Sequence, residues 1–207
     1  MLIASAACQE STENIVLPVP EASPTIMPTQ EPTPSQDSPI RGIDFKNFTY
    51  PWTKGLMSKE KTFTLKNGRF DNGMGVSLRQ TKYADLTGDG EDEAILFMLI
   101  TTGGSASPGI VYVYSFKNRK PQLLWKFDTG DRAEGGFKDL YAENGNVIVE
   151  LFGENKLVSG EWKAIVPPSK DKGLCCPTIY TKTTFSWDGK QFNIQNDPEV
   201  FDIPQGN

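Results

Sequence analysis

Residues 83–97 read Tyr83-Ala84-Asp85-Leu86-Thr87-Gly88-Asp89-Gly90-Glu91-Asp92-Glu93-Ala94-Ile95-Leu96-Phe97. An acidic, glycine-containing loop runs straight into an apolar run. That run continues to Thr101. It is short and carries no helix caps, so it reads as a central strand buried on both faces. A buried strand entered through a tight polar loop sets the pattern for the rest of the chain.

Outward from this stretch the texture stays the same. Upstream, Gly75 to Tyr83 and Thr62 to Leu65 read as strands, separated by the turn signals Asn67-Gly68 and Asp71-Asn72-Gly73. Phe48, Tyr50 and Trp52 alternate, as in a half-buried strand, and Pro51 keeps that strand at an edge. Downstream, Thr101 to Gly109 is a small-residue loop. No Gly-Lys-Ser/Thr follows it and no helical pattern begins, so it is an inter-strand loop and not a phosphate cradle. Ile110, Tyr112, Tyr114 and Phe116 share one face of the next strand, with Val111 and Val113 on the other. Pro121 to Phe127 follows the Lys117-Asn118-Arg119-Lys120 turn, and Asp128 to Gly136 is a second polar loop. Phe137–Tyr141 and Asn146–Phe152 form a hairpin over Glu143-Asn144-Gly145. Residues 153–172 are long and irregular, broken by Pro167-Pro168. A last hairpin joins Thr178–Trp187 to Gln191–Ile194 through Asp188-Gly189, with Ile179, Thr183, Phe185 and Trp187 on one side. About nine short strands without a helical period predict an all-β antiparallel meander, a sandwich or a propeller-like sheet stack. A four-bladed propeller needs about sixteen strands, more than the chain supplies.

The chain has 207 residues and a formal net charge of −5. Residues 1–40 hold no Lys or Arg and five acids: Glu10, Glu13, Glu21, Glu31 and Asp37. All 21 basic residues therefore fall in the remainder, with 21 of the 26 acids. A charge-balanced domain argues against a nucleic-acid partner, which needs a net basic face. The absence of histidine excludes Ser-His-Asp and Cys-His catalysis and His-ligated zinc.

Met1-Leu2-Ile3-Ala4-Ser5-Ala6-Ala7-Cys8 is small and apolar and ends in cysteine. It resembles the end of a bacterial lipoprotein signal peptide, which implies lipidation at Cys8 and a membrane partner through that anchor. No positively charged n-region precedes it, and the apolar part is short. Residues 17–40 carry seven prolines among Ser, Thr, Gln and acids. Such a composition buries too little apolar surface to fold and reads as a semi-extended spacer. The expected organisation is a partial signal segment at 1–8, a disordered spacer at 9–40 and an all-β domain at 41–207. Cysteine, spacer and domain in that order support the resemblance to a lipoprotein, which implies a domain outside the cytoplasm, in a bacterial cell envelope. No run of about 18 apolar residues suggests a spanning helix.

The acidic loop offers oxygen at alternate positions: Asp85, Thr87, Asp89, Glu91 and Glu93. A Ca2+ ion takes about six to eight oxygens, and Gly88 and Gly90 permit a sharp turn. Glu91 would contribute its backbone carbonyl. An EF-hand would need Glu where Leu96 stands. The spacing instead resembles the calcium loop of FG-GAP-type β-repeats, with Thr87 and Glu93 where Asp or Asn and Asp are usual. That resemblance implies a calcium site between two strands. The competing reading is an Asp-rich turn whose carboxylates accept from their own backbone.

Cys175-Cys176-Pro177 is the other unusual feature. Adjacent Cα atoms sit about 3.8 Å apart, below the usual disulfide range. A strained vicinal disulfide, free or intermolecular thiols, and a redox or metal site remain open. The stretch from Cys175 to Phe192 is similar to a pattern in uncharacterised secreted bacterial proteins, which implies envelope location and no activity.

Three functions follow. The first is an extracytoplasmic binding module for a protein or glycan, calcium-stiffened at residues 85–93, with no catalytic residue. Exposed members of Trp52, Trp125, Trp162 and Trp187 would stack on a ligand, although such residues more often build the core. The second is a glycoside hydrolase using two of Asp131, Glu134 and Glu150. The third is a structural partner in envelope assembly.

Overall fold

The computed structural model describes residues 37–52, 61–132, 134–153 and 176–204. All of them belong to the second of two compact units, Glu31–Asn207. Cys8, the Pro-rich stretch up to residue 36, Trp162 and Cys175 lie outside the described residues.

Two 3-10 turns, Pro39–Gly42 and Phe45–Asn47, open the fold. Strands β1 (Thr49–Pro51) and β2 (Thr62–Thr64) form a two-stranded sheet. Strands β3 (Arg69–Asp71), β4 (Gly75–Ala84), β5 (Glu93–Thr101), β6 (Gly109–Lys117) and β7 (Lys120–Asp128) follow one another in a five-stranded antiparallel meander. Strands β8 (Glu134–Glu143), β9 (Asn146–Gly153), β10 (Ile179–Trp187) and β11 (Phe192–Ile194) form the second large sheet, and β12 (Glu199–Asp202) also pairs with β10. The protein is all-β and antiparallel, and no α-helix occurs among the described residues.

Strand β5 explains the layering. Its side chains are buried on both faces, as its unbroken apolar run requires. Ala94, Leu96, Met98 and Ile100 join Tyr112 and Tyr114 of β6 in one core, closed by Ile40, Phe45, Tyr50, Trp52 and Phe63. Ile95 and Phe97 join Val111 and Val113 in a second core, closed by Leu140, Val147, Val149, Leu151 and Phe185 from the β8–β11 sheet. The β3–β7 meander is thus a middle layer between the β1·β2 side and the β8–β11 sheet. Each large side chain taken from water here contributes about 1.5–3 kcal/mol before entropy is counted. Alternation along β6 falls as its sequence predicts, tyrosines to the first core and valines to the second.

The two large sheets are joined by a close-packed crossover. Thr129 N–H donates to Gly109 O (2.8 Å) and Gly136 N–H to Arg132 O (2.8 Å). A Cβ at Gly130 would lie 1.7 Å from Glu134 O, so only glycine fits there. Between the same two sheets, Phe97 stacks on Phe137 of β8 with centroids 3.5 Å apart.

The fold departs from the sequence expectation in particulars. Ile40, counted with the spacer, is fully buried in the first core, and Ser38 is buried beside it. The domain therefore begins before residue 41. Strands β3 and β12 were not anticipated. β3 has three residues, too few for a period to show, and all four residues of β12 are exposed, so it carries no apolar alternation. Trp52, Trp125 and Trp187 pack against Phe63, Phe185 and Phe192 respectively. The indoles that the structure describes build the core, as their usual role suggests.

Candidate functional site

The acidic loop connects β4 to β5, where the sequence puts it. Gly88 (φ 75°) and Gly90 (φ 86°) occupy the left-handed region, which explains glycine at both positions. Asp85 closes the loop from its first position. Its two carboxylate oxygens accept from Gly88 N–H (2.7 Å) and Gly90 N–H (3.0 Å). Asp89 Oδ1 accepts from Glu91 N–H (3.0 Å). Glu93 closes the loop from its last position, where Oε2 accepts from Leu86 N–H (2.8 Å) and Thr87 N–H (3.1 Å). Thr87 Oγ1 donates to Glu93 Oε1 at 3.4 Å.

These contacts follow the Asx-turn pattern. Among the described residues, no three acidic or cysteine side chains converge on a point that could hold a metal ion. Asp85, Asp89 and Glu93 turn onto the loop's own backbone instead, and the Thr87 hydroxyl onto Glu93. Glu91 points elsewhere, and its Oε2 accepts the hydroxyl proton of Ser38 (2.9 Å).

Glu93 is the electrostatically unusual member. It is 1% exposed and is in no ion pair with a basic side chain among the described residues. Burial pushes its carboxyl up to about 7, and the nearby Asp89 and Asp85 charges add to the rise. The two backbone N–H groups it accepts hold it partly down.

The loop also grips the start of the domain, through residues the sequence reading missed. Asp92, 1% exposed, points away from Glu93 and takes Arg41 Nε at 2.6 Å. Its backbone N–H donates to Ser38 Oγ (2.9 Å). The Arg41 guanidinium also lies over the Tyr83 ring, 4.8 Å from its centroid. On the open side, Lys117 Nζ at the end of β6 is 3.9 Å from Asp89 Oδ2. One sequence signal could have found part of this: Arg41 is the first basic residue after forty without one. Nothing local marks Ser38.

The other candidates fall elsewhere. Asp131 accepts from Ser107 N–H (2.8 Å) and pairs with Arg132 (3.0 Å), in the β7–β8 crossover beside Glu134. Glu150 lies on β9, paired with Lys138 and accepting from the Tyr141 hydroxyl (3.0 Å). The Asp131 and Glu150 carboxylates are each engaged in a local pairing of their own. Cys176 is exposed with an unbonded thiol. Comparison of the chain with protein-family models, with curated proteins and with solved structures returns no match.

Proposed function

We propose that the chain is a lipid-anchored, extracytoplasmic binding module of a bacterial envelope, and that loop 85–93 is its calcium-responsive brace. Lipidation at Cys8 would fix the chain to a membrane, and residues 9–37 would supply the reach. The protein or glycan ligand is bound by the β domain, without catalysis. One observation supports a cation at the loop. Glu93 is buried with two further carboxylates near it and no basic partner among the described residues, and such a charge costs several kcal/mol unless compensated. A calcium ion would compensate it, taking oxygens of Asp85, Thr87, Asp89 and Glu93 and the Glu91 carbonyl. Asp85 and Glu93 each accept two N–H groups in the folded loop, so binding would require their carboxylates to turn partly off the backbone. The loop's hold on Ser38 and Arg41 then gives the cation an effect at the point where the spacer enters the domain.

The test is thermal unfolding of the full chain in EDTA and in millimolar Ca2+, with Asp89→Ala as control. A ligand at about 100 times its dissociation constant stabilises by about 2.7 kcal/mol, a rise of several degrees. A rise that Asp89→Ala abolishes supports the brace as a calcium site. An unchanged midpoint makes it a hydrogen-bonded turn and removes calcium from the reading. Metabolic labelling with a fatty acid, lost on Cys8→Ala, tests the anchor separately.

A further inference from the structure

The two-stranded sheet and the meander stop short of each other. Leu65 N–H donates to Phe48 O (3.0 Å) and Trp52 N–H to Lys61 O (2.9 Å). Tyr50 stands opposite Phe63 between them. Residues 61, 63 and 65 therefore turn their amides toward β1. Antiparallel alternation leaves the N–H and C=O groups of Thr62 and Thr64 on the opposite edge. In β3, Leu78 N–H donates to Gly68 O (2.9 Å) and Asn72 N–H to Met74 O (3.3 Å). Residues 68, 70 and 72 thus face β4, and Arg69 and Asp71 face the other way. Arg69 and Lys66 exchange both backbone hydrogen bonds, at 2.8 and 3.1 Å. Beyond that pair, β2 and β3 share no ladder. Thr62, Thr64 and Asp71, whose outward backbone groups lie on these edges, line a cavity of about 420 Å3. The half-buried Phe70 ring lines it, 5.6 Å from Phe63.

The outward backbone groups of Thr62, Thr64 and Asp71, unclaimed among the described residues, form a template for a third strand. We propose that this slot receives an extended, acidic segment of a partner protein by strand insertion between β2 and β3. The inserted strand would run antiparallel to one neighbour and parallel to the other, and would join the two sheets into one. Main-chain bonding supplies affinity, and alternate side chains supply specificity. The slot, with Thr62 and Thr64 on one side and Asp71 on the other, admits one apolar side chain against Phe70 and acidic ones either side of it on the opposite face. The acidic preference comes from the rim. Lys66 and Arg69 line the cavity, are exposed, and have no carboxylate within ion-pair distance among the described residues. Among the described residues that line the cavity, Asp71 is the one acid.

The probe is a fluorescein-labelled peptide, acetyl-Glu-Val-Glu-Val-Glu-Val-Glu-amide, titrated with the full chain at low salt and read by anisotropy. Binding is expected to weaken at least tenfold when alternate backbone amides of the peptide are N-methylated. It should weaken similarly when Lys replaces Glu in the peptide, and in the Lys66→Glu/Arg69→Glu variant. Those two substitutions lie at exposed positions, so the variant keeps its unfolding midpoint. Thr64→Pro removes one slot-facing N–H that the β1·β2 ladder does not use, and should weaken binding severalfold. Equal binding of the N-methylated peptide would overturn strand insertion. Equal binding by the charge-reversed variant would overturn the acidic partner. No binding of any peptide at millimolar concentration overturns both. The slot is remote in sequence from the acidic loop, so binding should persist in EDTA and in Asp89→Ala. Failure of the calcium reading would leave it standing.

Discussion

One oxygen of Glu93, Oε2, accepts hydrogen bonds from both Leu86 N–H and Thr87 N–H, so the last residue of the acidic loop holds its second and third. The bond network is satisfied, but the charge is not: burial and two neighbouring carboxylates keep the folded Glu93 carboxyl protonated up to about pH 7, against 4.5 for the free group. Between those values the folded chain binds more protons than the unfolded chain. Stability therefore falls as pH rises from about 4.5 through 7, by a few kcal/mol at most. Unfolding midpoints of the calcium-free protein across that range will show the decline. Glu93→Gln, which keeps an acceptor and loses the titration, should flatten it. A decline of equal size in the Gln variant assigns the effect to another group.

The pairing of Arg41 with Asp92 leads to a second prediction. Asp92 is almost fully enclosed, and its Oδ1 has no hydrogen-bond partner among the described residues. Arg41→Ala would strand that charge. Breaking a buried pair from one side costs about 3–5 kcal/mol, or about 6–20 °C for a domain of this size. Adding Asp92→Asn should recover part of the loss, because the uncompensated charge goes with it. A single variant that loses less than about 1 kcal/mol would mean that water reaches Asp92.

Much of this was legible in the sequence, and the limits have physical causes. The apolar run of β5 and the alternation of β6 announced strands because each residue's burial is written in its own side chain. The loop was legible because Gly88 and Gly90 are required by the backbone and Asp85 caps its own neighbours. What escaped depends on long-range encounters. Ser38 meets Glu91 and Asp92 across more than fifty residues, and no local pattern encodes that meeting. The short strand β3 was invisible for a related reason. Its role is to end the meander beside β2, and that follows from topology, not from periodicity.

The contact of Gly109 with Phe97 supports a third prediction. A Cβ at Gly109 would fall 2.2 Å from the Phe97 ring. The ring cannot retreat freely, because Phe137 is stacked on it. Gly109→Ala should therefore cost about 1–3 kcal/mol, the usual range for overpacking, although φ at this position is ordinary. Gly104→Ala, where the nearest atom is the Thr102 hydroxyl at 3.8 Å, serves as the control and should stay within about 0.5 kcal/mol. Chemical denaturation of the pair tests the comparison directly. Equal midpoints would mean that the two sheets can slide apart enough to admit a methyl group.

Lys117 and Asp89 separate the loop's electrostatics from its stability. Their charged atoms are 3.9 Å apart and both side chains are about half exposed, so the pair contributes about 0–1 kcal/mol. Lys117→Ala should leave the midpoint in EDTA nearly unchanged. It removes, however, the ammonium that stands where a cation would approach Asp89. If calcium binds the loop, the same substitution should strengthen binding about two- to fivefold at low salt, with the gain fading as ionic strength rises. Calcium titration of both proteins at two salt concentrations distinguishes the outcomes. A large loss of stability in EDTA would make Lys117 a structural counter-charge. Unchanged calcium affinity at low salt would place any bound cation away from Asp89.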